Sequence, residues 1–184
     1  NFTTRLCESQ QEFDAWYEIH IKRAREIGTS PLDRRLVERI WRSRESGRGF
    51  LQVVLCDGRI VAGCLFALHK NVCDVFAISM DSDHAVNSPI YLCIKAALLE
   101  MSRRGVLVMN WQSLPRRGDG VYKFKRQWNS EERTYFFMTK LIWDEAVVLD
   151  LGKDGIRREY PEHFVVPFGV FDQNSISGSF AKGA

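Results

Sequence analysis

The sequence predicts an α/β fold in which a mixed, mostly antiparallel sheet is flanked by helices on both faces. Three observations lead to this fold class. Two helical patterns open the chain, and residues 50–80 then alternate between apolar runs and tight turns, as in an antiparallel meander. A third helical pattern and a further apolar strand follow the meander. The order of elements therefore favours a layered structure over a helical bundle.

The chain begins with two predicted helices. Ser9 and Glu12 have the spacing of a capping box, and Gly28 ends the first helical pattern. Ser30 and Pro31 are typical of a second helix start, and Gly47 marks its end. We interpret the outer face of this second helix as solvated. It carries five arginines: Arg34, Arg35, Arg39, Arg42 and Arg44.

The meander is predicted to contain three strands, at residues 50–56, 59–69 and 72–80. Asp57 and Gly58 form a strong two-residue hairpin signal between the first two strands. Residues 81–87 then form a polar loop. Ser88 as cap and Pro89 in the first turn begin a largely buried helix that stops at Gly105.

The second half of the chain contains a central strand and a short helix. Residues 106–111 (VLVMNW) are continuously apolar, which predicts a strand covered on both faces in a parallel or central position. Asp119 is the expected cap of the short helix, whose buried face contains Val121, Phe124 and Trp128. We expect one domain over residues 1–143 and a C-terminal extension over 144–184. The extension contains an edge strand at 146–151 and a loose tail.

Composition excludes several classes of protein. The 184 residues are 45% hydrophobic and contain no run of about eighteen apolar residues, so we expect one soluble core and no membrane span. A net charge of +3 does not by itself indicate nucleic-acid binding. The five cysteines are odd in number and widely scattered, which indicates a reduced, cytoplasmic protein without a metal site.

Two groups of polar residues follow predicted strands. Asp81, Asp83, His84, Asn87 and Ser88 connect the meander to the buried helix, and the exit of the 106–111 strand presents Asn110, Gln112 and Ser113. Ligands in α/β folds tend to lie beyond the carboxyl ends of central strands, where helices begin. We expect both groups to open onto a single cleft. The alternative is that these residues are solvated or satisfy neighbouring turns.

The short helix adds positive charge to this region. Lys123, Lys125 and Arg126 lie on it, and Arg116 and Arg117 precede it. These cations could meet phosphate groups of a donor, whereas solvation of an outer helical face is the alternative. Tyr122 on the same helix could stack on a substrate or fill space.

Four segments resemble the Fem-type branch of the GNAT acyltransferases: FDAWYEIH (13–20), DGRIVAGCLF (57–66), NSPIYLCIKAALLEMSRRG (87–105) and YKFKRQWN (122–129). The resemblance extends over residues 2–141. It implies a GNAT-like acyltransferase domain that moves an acyl group, aminoacyl or fatty-acyl, to an amine. It also implies that Lys125, in the Phe124-Lys125 pair, supports charge on the acyl-transfer intermediate or on the donor phosphate.

Acyl transfer to an amine requires a neutral nucleophile, a proton acceptor and stabilisation of an oxyanion. We therefore assign the predicted site residues to three roles. Catalysis is assigned to Lys125, as the resemblance implies, and to Asp81 and His84 as the available proton acceptors. Substrate binding is assigned to Phe124, Tyr122, Asn110, Gln112, Ser113, Ser88 and Asn87. Anion binding is assigned to Arg116, Arg117, Lys123 and Arg126.

The loop at residues 81–88 bears on the identity of the acyl donor. Acetyl-CoA-using relatives have an Arg/Gln-x-x-Gly-x-Gly/Ala loop, whereas this chain has DSDHAVNS at 81–88, without glycine and with two aspartates that would repel a pyrophosphate. We expect no tightly bound cofactor. A donor on aminoacyl-tRNA or an acyl carrier protein is favoured over acyl-CoA.

Two other functions remain open at this stage. One is a non-catalytic domain that holds an anionic partner on its basic surface, and the other is an acetyl-CoA-dependent N-acetyltransferase. Fem enzymes also pair two such domains, and this chain has room for one. An oligomer is therefore one way in which the cleft could be completed.

Overall fold

The structure is a computed structural model, and it describes residues 1–113, 119–134, 150–152, 154–155 and 158. The chain divides into two compact units, Asn1–Asn129 and Ser130–Ala184. In the second unit, residues 150–152 are helical; the rest of the predicted edge strand and the predicted boundary at 143 lie outside the described residues.

The first unit contains a five-stranded sheet in the order β1-β2-β3-β4-β5. The first four strands are antiparallel and β5 is parallel to β4, so the predicted mixed, mostly antiparallel sheet is confirmed. The strands are β1 (Phe2–Leu6), β2 (Gly49–Cys56), β3 (Arg59–His69), β4 (Val72–Met80) and β5 (Val108–Asn110). The helices are α1 (Gln10–Ile27), α2 (Arg34–Arg42), α3 (Pro89–Arg103) and α4 (Gly120–Arg126).

Two hydrophobic cores cover the two faces of the sheet. The first lies under α3 and includes Phe50, Phe66 and Ile94. The second lies under α1 and α2 and includes Trp16 and Trp41. The predicted placement of helices on both faces is thus confirmed, because alternate side chains of the central strands contribute to opposite cores.

The start of α1 is the capping box that the sequence predicts. Glu12 N–H donates to Ser9 Oγ at 3.2 Å, and Glu12 Oε2 accepts from the N–H groups of Glu8 and Ser9 at 2.9 and 3.3 Å. Arg5 also binds the Glu12 carboxylate. The hydrogen bond from Arg5 and the two backbone hydrogen bonds lower the pKa of Glu12 to about 2, although its partial burial acts in the opposite direction.

We expect Glu12→Gln to lower the free energy of unfolding by about 1 kcal/mol at pH 7, because Arg5 is largely exposed and the capping contacts are partly retained. The pKa of Glu12 is lower in the folded chain than its ordinary value of 4.5, so its contribution is complete above pH 4.5. The contribution is lost as the pH falls towards 2. Urea unfolding at several pH values measures the effect, with Glu18→Gln on the same helix as the control. A deficit in Glu12→Gln that persists at pH 2 would contradict this account.

The helix α2 begins later than predicted. Ser30 and Pro31 do not open it; Asp33 is the N-cap, and its side chain accepts from Leu36 N–H at 3.1 Å. An aspartate side chain reaches the free N–H groups of a first turn directly, and this contact outweighs the Ser-Pro signal. The helix is followed by a 3₁₀ turn at Ser43–Ser46, which ends at Gly47 as predicted.

The meander is confirmed, and β1 extends it on one side. Asp57 and Gly58 have φ values of 48° and 81°, as the predicted two-residue turn requires. The sequence analysis missed β1, although its residues alternate between half-buried and exposed positions. Five residues are a weak periodic signal, and β1 is stabilised by contacts far along the chain, such as Thr4 Oγ1 to Val53 O at 2.8 Å.

The strand after α3 differs most from its prediction. A strand parallel to β4 is present, but it covers only Val108–Asn110 and is the last strand of the described sheet. Leu107 and Val108 are 78% and 52% exposed, so the prediction that both faces are covered is wrong for the described structure. The buried cores centre on β2, β3 and β4, and continuous apolarity alone does not distinguish a central strand from one at the border.

Candidate active site

The sheet opens between β4 and β5. Their parallel pairing ends at Asp74 and Asn110, while β4 continues through residues 75–80 without a strand partner on that side among the described residues. Along its other edge, β4 is paired with β3. The side chain of Ile78, in the part of β4 beside the opening, is 37% exposed. Within the described residues, this edge of β4 therefore faces the opening without a neighbouring strand, at the carboxyl ends of two parallel strands.

The N-terminal end of α3 packs against the helix α4 and the residues that follow it. The Tyr91 ring lies 5.2 Å from Phe124 and 5.8 Å from Trp128, and its hydroxyl binds Gln127. A cavity of about 480 Å³ borders this contact. It is open to solvent and is lined by Phe2, Asn87, Ser88, Pro89, Tyr91, Leu92, Lys95 and Trp128.

Lys125 lies on α4 with its ammonium group against the exit of β5. Its Nζ donates to the carbonyl oxygens of Trp111, Gln112 and Ser113 at 2.6, 3.3 and 3.4 Å. Burial lowers the pKa of Lys125, although Asp119 acts in the opposite direction. The ammonium group therefore holds three consecutive carbonyls beside the opening.

The other residues predicted at the β5 exit form one hydrogen-bonded turn. Asn110 Nδ2 donates to Asp74 Oδ1 at 2.7 Å, and Asn110 Oδ1 accepts from Gln112 N–H at 3.0 Å. Gln112 has a φ of 65°, in the left-handed region. Asn110, Gln112 and Ser113 are thus brought together with Lys125, as predicted, and their described side-chain contacts are with one another, with Lys125 and with Asp74 on β4.

Asp81 and His84 follow the end of β4, where Asp81 contacts Lys22 of α1 and the His84 ring lies 6.4 Å from the Phe2 ring of β1. Asp81 Oδ2 is 3.6 Å from His84 Nδ1, and Asp81 Oδ1 accepts from Lys22 Nζ at 2.7 Å. This bond from Lys22 is the main reason why the pKa of Asp81 is lowered. Lys22 is also 3.7 Å from Asp83, whose side chain is 77% exposed. No contact between this pair and Lys125 is present in the described structure.

Residues 82–87 form a 3₁₀ helix rather than an extended loop, and it ends at Ser88. Ser88 has a φ of 47° and precedes Pro89 as predicted, but its hydroxyl donates to Ala85 O at 3.3 Å and makes no capping bond to α3. Ser88 is therefore the N-cap residue, as predicted, but its side chain does not cap the helix. The left-handed backbone already turns the chain into the helix, and no acidic side chain occupies the first turn of α3.

Asp119 caps α4 as predicted, with its Oδ1 2.7 Å from Tyr122 N–H. Phe124 and Trp128 pack against the core under α3, but Val121 is 53% exposed and does not share their buried face. The helix is only seven residues long, so its packed side is narrower than the 3.6-residue pattern indicated. Tyr122 is half-buried, and Lys123 and Arg126 are exposed. Arg116 and Arg117 lie outside the described residues.

The sequence analysis missed several residues that border the site. Lys22 binds Asp81 from a distance of 59 positions along the chain, and Phe2, Tyr91 and Lys95 line the cavity. Tyr91 and Lys95 share the i, i+4 spacing of one face of α3, which is the signal that could have identified them. No comparable local signal exists for Lys22, because its partner is distant in sequence.

Three features agree with an acyltransferase fold of the GNAT class. The antiparallel meander has one register shift in each of the β2–β3 and β3–β4 pairings, a helix follows the carboxyl end of β4, and a parallel strand separates from β4. A family model described as an acetyltransferase (GNAT) domain matches residues 1–126, and the chain belongs to this family. It is an acyltransferase. Comparison with curated protein sequences gave no match.

Solved structures agree with this fold. A possible acetyltransferase from Clostridium difficile 630 is 12% identical with a TM-score of 0.60, covering 78% of this chain and 99% of that chain. AAC(6')-Iy, solved in complex with the bisubstrate analogue CoA-S-monomethyl-acetylneamine, is 15% identical with a TM-score of 0.58, and the coverages are 77% and 99%. The ribosomal-protein-S18-alanine N-acetyltransferase from Escherichia coli is 17% identical with a TM-score of 0.55, and the coverages are 76% and 86%.

Two further properties bear on the function. No helix among the described residues is long and apolar enough to cross a membrane. In the same part of the chain, no three histidine, cysteine, aspartate or glutamate side chains are grouped as a metal site. All five cysteines are free thiols.

Proposed function

We propose that this protein transfers an acyl group from a phosphopantetheine thioester to an amine. The observation that carries the proposal is the open edge of β4 at residues 75–80, beside the start of α3. A strand edge binds an extended chain of amides by completing the hydrogen bonds of the sheet. The pantetheine arm contains two amide groups in an extended chain, and acyl-CoA and acyl carrier proteins both carry it.

In the proposed reaction, the neutral amine attacks the thioester carbonyl carbon. A C–N bond forms, the C–S bond breaks, and the sulfur leaves as a thiolate that takes up a proton. The amine loses its own proton to a base. We assign this base to His84 rather than to Asp81, because Lys22 lowers the pKa of Asp81 and makes its carboxylate a weak proton acceptor. The Asp81 carboxylate is 3.6 Å from His84 Nδ1, which is beyond hydrogen-bond distance.

The loop at 81–88 affects which carrier is used. Residues 82–87 of this loop form a 3₁₀ helix, in which His84 N–H donates to Asp81 O and Ser88 N–H donates to Ala85 O. Because both N–H groups are already bonded within the loop, neither is available to bind a phosphate. Asp83 adds an exposed carboxylate. This arrangement supports a carrier protein as the donor over free CoA, since a protein adds recognition at other surfaces. Acyl-CoA remains the alternative, as the complex of AAC(6')-Iy with a CoA analogue illustrates for another member of the fold.

Membership of the Fem-type branch is part of the same proposal. It is supported by the segment YKFKRQWN. In this segment the Phe124 ring packs against Tyr91, and the Lys125 ammonium donates to the carbonyl of Trp111 after β5. Transfer from aminoacyl-tRNA would follow if that resemblance extends to the donor. The open edge of β4 favours a pantetheine arm, because an aminoacyl ester on a ribose lacks the amide chain.

The test is a transfer assay with radiolabelled acyl-CoA, acyl carrier protein and aminoacyl-tRNA, each with glucosamine, spermidine and an alanine-terminated peptide as acceptors. We expect turnover with a pantetheine donor and none with the tRNA. His84→Ala should lower the rate about a hundredfold, as expected when a general base is removed. His69→Ala, which removes an exposed histidine at the end of β3, is the control and should retain the rate.

Three outcomes would contradict the proposal. Turnover with aminoacyl-tRNA alone would show that the donor lacks a pantetheine arm. Unchanged transfer in His84→Ala would remove His84 as the base. Salt-sensitive binding of tRNA or of an acidic carrier protein without turnover on any donor would instead support a non-catalytic domain that holds an anionic partner.

A further inference from the structure

The start of the 3₁₀ helix at Ser82–Asn87 is fastened to α1 by two side chains of that helix. Lys22 Nζ donates to Asp81 Oδ1 at 2.7 Å, and Glu26 Oε1 accepts from the Ser82 hydroxyl at 2.8 Å. Lys22 and Glu26 are four positions apart, so they share one face of α1. This face of α1 therefore binds the last residue before the 3₁₀ helix and the first residue within it.

The sheet holds the same point of the chain through its backbone. Asp81 N–H donates to Val61 O at 2.8 Å, one residue beyond the end of β4. The backbone of Asp81 is thus bonded to β3, while its carboxylate is bonded to α1. His84 N–H in turn donates to Asp81 O at 3.1 Å. The backbone of His84 is therefore bonded directly to a residue that is held from two sides.

Both contacts from α1 involve charged groups. Lys22 donates to a carboxylate, and its hydrogen bond is the main reason why the pKa of Asp81 is lowered. The hydrogen bond from Ser82 is the main reason why the pKa of Glu26 is lowered, and Glu26 Oε2 also accepts from Arg23 Nη1 at 3.0 Å. Both carboxylates are therefore ionised at neutral pH. Hydrogen bonds to ionised groups are shorter and stronger than those between neutral groups.

The His84 ring depends on this backbone for its direction. Its Nδ1 is buried and has no hydrogen-bond partner among the described residues. The His84 side chain is 29% exposed, so Nε2 is the nitrogen at which the ring can accept a proton from an amine. The ring lies edge-on to Phe2 at a centroid distance of 6.4 Å. Since no described hydrogen bond fixes the ring, its direction is set by the Phe2 contact and by the backbone that carries it.

We propose that Lys22 and Glu26 are positioning residues for the base His84, because they fix the start of the 3₁₀ helix that carries it. This inference rests on the proposed function. Neither side chain contacts His84, so both act through Asp81 and Ser82. Their loss is expected to lower kcat and to leave the KM of donor and acceptor near the wild-type values, because the base is displaced while both substrates still bind.

Conservative and disruptive substitutions separate this role from a general loss of structure. Lys22→Arg can still donate to Asp81, and the amide oxygen of Glu26→Gln can still accept from Ser82, so both should keep the wild-type kcat. Lys22→Met and Glu26→Leu remove the contacts. Each should lower kcat about tenfold, less than the removal of the base, because the ring is displaced and still present. Arg25→Met, which removes an exposed cation from the same helix, is the control and should retain kcat.

A double-mutant cycle tests whether the effect passes through His84. Once the base is gone, its position no longer matters, so Lys22→Met should have no further effect on the residual rate of His84→Ala. An equal loss of kcat from Lys22→Met in the wild-type and His84→Ala backgrounds would overturn the proposal. A rise of KM at unchanged kcat would overturn it as well.

Amide hydrogen exchange at His84 provides a readout that does not depend on activity. Exchange should accelerate about fivefold in Lys22→Met, the size expected for a partly exposed ion pair, and stay near the wild-type rate in Lys22→Arg. Equal exchange in both variants would show that Lys22 does not fasten the 3₁₀ helix. If the wild-type chain transfers nothing to any of the three acceptors, the proposed function fails and the positioning role with it. The exchange result then still decides whether the α1 contact holds His84.

Discussion

Replacing Lys125 by Ala is expected to lower the rate of acyl transfer about a hundredfold, because small displacements of a site wall have effects of this size on catalysis. The Lys125 ammonium holds the carbonyls of Trp111, Gln112 and Ser113 at 2.6 to 3.4 Å. Without it, these three acceptors lose a charged donor and the turn at the β5 exit is released. The structure shows this contact with three carbonyls, which favours a positioning role over direct contact with the donor phosphate.

The control for Lys125→Ala is Arg103→Ala, which removes an exposed cation at the end of α3. Steady-state kinetics with the best donor gives the rate, and hydrogen exchange at Gln112 and Ser113 reports the release of the turn. Faster exchange together with slower transfer is the expected result. Slower transfer with unchanged exchange would instead indicate that Lys125 acts directly on the reacting groups. Full activity in Lys125→Ala would remove the residue from the site.

Gly63→Val is expected to lower the free energy of unfolding by about 3 kcal/mol, the upper part of the range for overpacked cores. A Cβ at Gly63 would lie 2.6 Å from Trp16 Cδ1, 2.9 Å from Trp16 Nε1 and 3.1 Å from Gln52 O. Trp16 is fully buried and packs between Phe13 and His20. The indole therefore has no free space into which to move, and α1 would have to shift away from β3.

The matched control is Gly120→Ala, because a Cβ at Gly120 has no atom within 4 Å. Gly120 opens α4, where Ala is at least as favourable as Gly, so we expect a change of less than about 1 kcal/mol. Urea unfolding followed by tryptophan fluorescence measures both variants. A Gly63→Val protein as stable as wild type would show that α1 does not pack on β3 as described.

Local signals in the sequence predicted the elements that local contacts stabilise. The capping box of Ser9 and Glu12 and the turn at Asp57 and Gly58 depend on residues within four positions of one another. The start of α2 was misplaced because two cap signals stand three residues apart, and the Asp33 side chain makes the bond that decides between them. Whether β5 is buried depends on which elements lie beside it, and an apolar run of residues does not identify those elements.

The sequence predicted which segments of the chain meet at the candidate site. The turn at Asn110 and the lysine of α4 do meet, as the order of elements indicated. The partners of individual groups were not predictable, because Lys22 reaches Asp81 and His20 reaches Ser79 across 59 residues each. Such contacts depend on how α1 lies across β4. The opening between β4 and β5 exists because their hydrogen-bonded pairing stops at Asp74 and Asn110. No pattern in the sequence indicates where that pairing stops.

The most direct test of the central claim is a crystal structure of the chain with a CoA thioether analogue that cannot release its acyl group. Our account predicts that the pantetheine arm lies between β4 and β5 and that its amides bond to the backbone of residues 75–80, with the phosphate end towards the start of α3. An arm bound elsewhere on the protein, with that edge of β4 unpaired, would contradict the account.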